Sequence, residues 1–213
     1  MALKSLRETS IPAPKIGQDE LIESESDRRE KLRKSLNVSS LEHTFDNFTV
    51  LPGTKLAFDA FVELSKPETN LKMLLCYGGV GNGKTYLLEA LAIELYRQGL
   101  FCRIYPLSML MRNLKNAMSK ESAISNDELL QRYIESERLL IDDLGAGGSG
   151  SDWEWKQFEE IIVERYRARR LTAVTTNLDI KQIPVRIVSR FQDAEIGRVV
   201  LNGGGDYRYR RAK

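Results

Sequence analysis

One histidine, His43, in 213 residues removes most zinc and histidine-base chemistry. The two cysteines, Cys76 and Cys102, are too few for a disulfide framework and lack metal-ligand spacing. Their apolar neighbours make them core fillers. No apolar run approaches the roughly 18 residues of a membrane helix, and the opening MALKSLRETSIPAPK lacks the apolar stretch of a signal peptide. A soluble, cytoplasmic protein with no membrane partner is expected. Hydrophobic residues at 42% and charged residues at 29% exclude wholesale disorder, collagen and a coiled-coil rod. The length suits one domain with a short appendage.

The net charge of +2 hides an asymmetry: from Arg165 onward 12 Lys and Arg face 4 Asp and Glu. That surplus suggests a polyanion partner for the C-terminal part, although basic residues also serve solvated helix faces. Residues 1–40 mix both signs of charge with Pro12, Pro14 and serines, and only Leu21 to Leu36 has helical character. They read as a flexible or helical partner-docking arm, with the globular domain spanning 41–213. From Leu71, short apolar runs alternate with amphipathic segments: LKMLLCY, a helix from Lys84, LFCRIY, helical stretches to Glu135, RLLIDDLG, a helix from Trp153, LTAVTTN, a helix ending near Phe191, and IGRVVLN. Such alternation predicts βαβ units, a parallel sheet and a three-layer α/β domain.

Gly78 to Thr85 reads GGVGNGKT and satisfies GxxxxGK(S/T) between an apolar strand and an amphipathic helix, the context the motif requires. Glycines let the backbone wrap a phosphate with N–H groups inward, and the following helix turns its positive N-terminus to the same anion. Gly78, Gly79, Val80, Gly81, Asn82, Gly83, Lys84, Thr85 and the adjoining Tyr86 are therefore the expected ATP-binding residues. Lys84 suits the β/γ oxygens and the Thr85 hydroxyl suits Mg2+.

LLIDDLG is an apolar strand ending in two acids. A carboxylate delivered to the C-terminal edge of the sheet stands beside the phosphates, so Asp142 is the expected magnesium-side acid. Asp143, pointing differently, can orient or accept a proton from the attacking water. A third strand, LTAVTTN, ends in Asn177; placed between the other two, it would bring Asn177 to the γ-phosphate to hold that water.

Together these residues resemble the AAA+ ATPases, most closely the DnaC-type helicase loaders and the similar IstB-type transposase helpers. TFDNF (44–48) looks like the leading segment of that family, GGVGNGKT its Walker A, LLIDDLG its Walker B, TTNL its sensor 1, RIVSRF (186–191) its box VII and DYRYR (206–210) its aromatic-basic end. The resemblance implies a P-loop NTPase of AAA+ type that hydrolyses ATP with Mg2+, and an oligomer in which Arg190, with Arg186, reaches the γ-phosphate of a neighbouring copy. It also implies no C-terminal helical lid, since about a dozen residues follow IGRVVLN. Asp143 stands where AAA+ proteins commonly carry glutamate, a pair the loader branch itself shows.

Two functions stay open: loading a replicative helicase on single-stranded DNA, or assembling on DNA to recruit a transposase. In either, residues 1–40 would dock the partner. A small P-loop kinase would need an acceptor insertion and a lid. Arg112, Lys115 and Lys120 lie where loaders face single-stranded DNA, and Tyr207, Arg208, Tyr209, Arg210 and Arg211 suit base stacking plus phosphate contact. Trp153 and Trp155 read as anchors of the helix running through Phe158 and Ile161.

Overall fold

In the computed structural model, residues 24–119, 121–145 and 150–207 are described. Five strands, β1 (Met73–Tyr77), β2 (Ile104–Pro106), β3 (Arg138–Leu144), β4 (Leu171–Thr176) and β5 (Gly197–Leu201), form one sheet in the order β2-β3-β4-β1-β5, with every pairing parallel. β4 thus lies between the strand that leads into the P-loop and the strand that carries the two acids, the placement that the third motif requires.

The two faces of the sheet follow from the period-2 alternation of strand side chains. Leu74 and Cys76 of β1 point into one core, with Leu140, Ala173 and Val200 beside them. That core is closed by α1 (Glu25–Leu36), α2 (Lys55–Ser65) and α3 (Lys84–Arg97). Met73 and Leu75 point into the opposite core, under α4 (Leu107–Asn116), α5 (Asn126–Glu135), α6 (Asp152–Arg167) and α7 (Val185–Phe191). Three layers result, as the alternating pattern predicted. Burial pushes the thiols of Cys76 and Cys102 up to about 12, so both are inert packing groups. Among the described residues no helix is long and apolar enough to cross a membrane, and no helix follows β5.

The expected boundary at residue 40 does not coincide with the packing. Ser24 caps α1 by accepting from the Asp27 amide, and at the other end Leu36 is fully buried beside buried Val38. Asn37, in the left-handed conformation at the helix end, donates its side-chain amide to the Ile104 carbonyl. Residues 25–40 therefore pack on the same core as the rest of the domain, held by apolar burial that charge-rich composition conceals; residues 1–23 lie outside the described residues.

Arg165 of α6 is 0% exposed and, among the described residues, has no carboxylate within its hydrogen-bond set. Its guanidinium instead donates to the carbonyls of Tyr133, Ile134, Ser136 and Leu171 and to the Thr172 hydroxyl. These acceptors belong to the end of α5 and the start of β4, where helix-terminal carbonyls would otherwise be orphaned. Burial lowers its pKa to about 9, which still leaves it charged at neutral pH.

Candidate nucleotide-binding site

The turn from β1 to α3 needs a backbone most residues resist. Gly81 and Gly83 take φ of 73° and 94°, and a Cβ on Gly83 would stand 3.1 Å from the Phe48 ring. Lys84, 6% exposed, folds back over the loop and donates to the carbonyls of Gly78 (2.8 Å) and Gly79 (2.6 Å) and to Asn82 Oδ1 (3.0 Å). Its charge is thus already centred on the loop that would cradle a phosphate.

Walker B meets the P-loop directly. Thr85 Oγ1 donates to the Asp142 carboxylate at 3.0 and 3.2 Å. Burial raises the Asp142 carboxyl above its ordinary value, opposed by hydrogen bonds from Thr175, Thr85 and the Asp143 backbone and reinforced by the Asp143 charge. After Asp142 the strand departs from regular pairing: the β3–β4 register shifts between Ile141 and Leu144, and Asp143 sits at φ 58°. This bulge turns the Asp143 carboxylate away from that of its neighbour and toward β4, where Asn177 Nδ2 donates to Asp143 Oδ1 at 2.8 Å. Such a backbone is uncommon for aspartate and persists where surrounding structure enforces it.

A cleft of about 300 Å³ is lined by Val80 to Tyr86, His43, Asp142, Asp143, Thr175 and Asn177. One wall is aromatic. The His43 and Tyr86 rings lie 4.2 Å apart and those of Phe48 and Tyr86 5.3 Å apart. Behind them Glu89, buried on α3, takes the Ser39 amide (2.8 Å), the Ser39 hydroxyl (3.0 Å) and the His43 ring (Nδ1 to Oε2, 2.6 Å). The segment leading into the domain is thereby clamped to the helix that carries the P-loop lysine. Glu89, Thr175 and Asn202 were not singled out from the sequence, because nothing local marks a residue whose partner lies on a distant element.

Thr85 and Asp142 supply two oxygen donors, fewer than the six an octahedral magnesium takes. Among the described residues no group of three or more His, Cys, Asp or Glu could hold a metal. This donor set fits a cation that arrives with phosphate oxygens rather than a resident ion.

Neither expected arginine lines the cleft. Arg190 of α7 packs over the Tyr166 ring at 5.4 Å, and the Tyr166 hydroxyl donates to Asp193 at 2.7 Å. The Arg186 side chain is 82% exposed and reaches Glu159 at 3.4 Å. Lys115 is held by Glu154 at 2.8 Å and over the Trp153 ring at 5.5 Å, whereas Arg112 is exposed. Both tryptophans pack against the core beneath α6. Lys120, Arg208, Tyr209, Arg210 and Arg211 lie outside the described residues.

Residues 40–194 match the family model of the bacterial DnaA ATPase domain. The chain belongs to this family. It is 28% identical over 176 residues to the chromosomal replication initiator protein DnaA of Thermoanaerobacter sp. (strain X514), covering 79% of this chain and 39% of that protein. With DnaA of Thermus thermophilus it shares 29% identity over 156 residues, covering 71% and 35%. The chain thus spans well under half the length of these relatives. Domain III of Thermotoga maritima DnaA superimposes with a TM-score of 0.64 at 25% identity, covering 75% of this chain and 66% of that one. The DnaI crystal structure gives 0.63 at 24% identity over 84% and 98%, and the DnaC helicase loader 0.61 at 20% over 75% and 96%. For these last two the likeness is one of fold. The domain is an AAA+ P-loop domain of the DnaA and DnaC type, a coarser placing than the loader branch that the motifs resemble.

Proposed function

We propose that this DnaA-family chain is a magnesium-dependent ATPase of DNA replication that loads or remodels a replicative helicase on single-stranded DNA. The observation that carries the nucleotide half is the meeting of Thr85 with Asp142 across the mouth of the P-loop. In this reading Lys84 would neutralise β/γ oxygens, the P-loop amides would hold the phosphates, and Thr85 and Asp142 would hold magnesium. The bound ion would spread the charge that develops on the phosphates. Asp143, aimed by its bulge and tied to Asn177, orients the attacking water. Solved relatives include DnaA from Aquifex aeolicus bound to AMPPCP and an initiator DnaA bound to AMPPCP and single-stranded DNA.

The loader half is supported by the sequence motifs and by the fold comparison, in which the shared region spans 98% of the DnaI chain and 96% of the DnaC loader chain. Arg186 or Arg190 of one copy would complete the site of its neighbour, with Arg186 the more exposed of the two. The N-terminal arm would contact the helicase, and the basic C-terminal stretch would follow the DNA strand.

The test mixes full-length protein, a replicative helicase and fluorescent single-stranded DNA, with ATP or ADP. ATP-dependent retention of helicase on DNA, lost in Lys84→Ala, is expected. Failure to bind helicase combined with ATP-dependent capture of a transposase would replace the loader reading with the transposition one.

A further inference from the structure

Thr175, the penultimate residue of β4, is 1% exposed and lies behind both acids. Its hydroxyl donates its proton to the Asp142 carboxylate and accepts the Asp143 backbone N–H at 3.2 Å. One O–H group thus serves two different tasks. It fixes the carboxylate orientation in which Asp142 also meets Thr85, and it satisfies the amide that the register shift removes from regular ladder pairing. With its amide on the Thr175 hydroxyl, Asp143 takes a left-handed backbone, and its side chain meets Asn177. Thr176, the next residue, turns instead to the Leu144 carbonyl, so the two threonines pin the bulge from both ends.

We propose that Thr175 is the positioning residue of the two-acid site, setting Asp142 for magnesium and Asp143 for the water through one hydroxyl. The proposal rests on the ATPase reading for what the acids do, but the positioning itself is a property of this chain. A threonine is suited to it because branching at Cβ leaves χ1 stiff, so the hydroxyl is held in place without its partners. Groups that orient a metal ligand from behind typically contribute 10- to 100-fold in metal affinity.

Thr175→Val keeps shape and volume but removes the hydroxyl, whereas Thr175→Ser keeps the hydroxyl. Two measurements on the full chain separate the possibilities. The first is the NMR shift and hydrogen exchange of the Asp143 amide without nucleotide. Thr175→Val should move the signal upfield and speed its exchange about tenfold or more, and Thr175→Ser should restore both. The second is the magnesium dependence of equilibrium binding of a fluorescent non-hydrolysable ATP analogue. Thr175→Val, confirmed folded by its melting curve, should weaken the magnesium-dependent part about tenfold, with Thr175→Ser close to the wild type.

An Asp143 amide unchanged in Thr175→Val would overturn the proposal, as would an unchanged magnesium dependence in a chain whose wild type shows one. Wild type without any magnesium-dependent nucleotide binding would instead remove the ATPase reading. In that event the Asp143 amide alone decides whether Thr175 positions the acids.

Discussion

Asn82 and Asn202, 120 residues apart, exchange two hydrogen bonds: Asn82 Nδ2 donates to the Asn202 carbonyl at 2.5 Å, and Asn202 Nδ2 returns one to the Asn82 carbonyl at 3.0 Å. Both are buried, and Asn82 Oδ1 also takes the Lys84 ammonium. The far edge of the sheet therefore braces the phosphate loop from outside. Further along the same segment the Tyr207 amide donates to the Gly81 carbonyl at 2.9 Å.

Removing this brace should loosen the loop without unfolding the domain. Asn202→Ala should weaken ATP binding about tenfold, the equivalent of about 1.4 kcal/mol and near the worth of one buried hydrogen bond. Isothermal titration of the two proteins gives the ratio, and equal affinities would show that the P-loop holds its shape alone.

The two acids should fail in different ways. Asp143→Asn should retain magnesium-dependent ATP binding and lose hydrolysis, because its carboxylate faces Asn177 rather than Thr85. Asp142→Asn should lose the magnesium-dependent part of binding as well. Titrations with and without magnesium, beside phosphate release, distinguish them; identical magnesium dependence in both variants would refute the division of roles.

Arg186→Ala should lower hydrolysis at least about tenfold, well within the range of arginines supplied in trans, and leave ATP affinity unchanged. Mixed with Lys84→Ala, it should recover activity, since one variant offers a P-loop and the other an arginine. A mixture as inactive as its parts would place Arg186 outside the reaction. The same mixture made with Arg190→Ala tests the second arginine, whose packing on Tyr166 also predicts a lower melting temperature for that variant.

Arg165→Met should destabilise the domain by about 3 kcal/mol, because several buried carbonyls lose their donor at once and each such loss costs about 1–3 kcal/mol before relaxation. Urea unfolding provides the difference; a loss under about 0.5 kcal/mol, the size of a neutral surface change, would mean that water replaces the guanidinium freely.

How much of this was visible in the sequence follows from the range of each interaction. The strands that carry GGVGNGKT, LLIDDLG and LTAVTTN announce themselves by continuous apolar runs, since they are buried on both faces, whereas the central place of β4 between the other two was a condition that only the pairing in the structure supplies. Local chemistry also marks Lys84, Thr85 and Asp142. The bulge at Asp143 was not legible, because its positive φ is imposed by pairing with β4 and by Thr175 rather than by any glycine. Glu89 and Asn202 were equally silent, since their partners lie 50 and 120 residues away. The helix ending at Leu36 looked like part of an arm because its charged turns outnumber the two apolar residues that dock it.

The cleft of Lys84, Thr85 and Asp142 is expected to bind magnesium-ATP. Equilibrium titration of a fluorescent ATP analogue into wild type and Lys84→Ala, each confirmed folded by its melting curve, tests this most directly. Saturable binding strengthened by magnesium in the wild type, and weakened at least about 100-fold in Lys84→Ala as a charged contact to phosphate requires, is the predicted result. Equal affinity in the two proteins would contradict the assignment of the site.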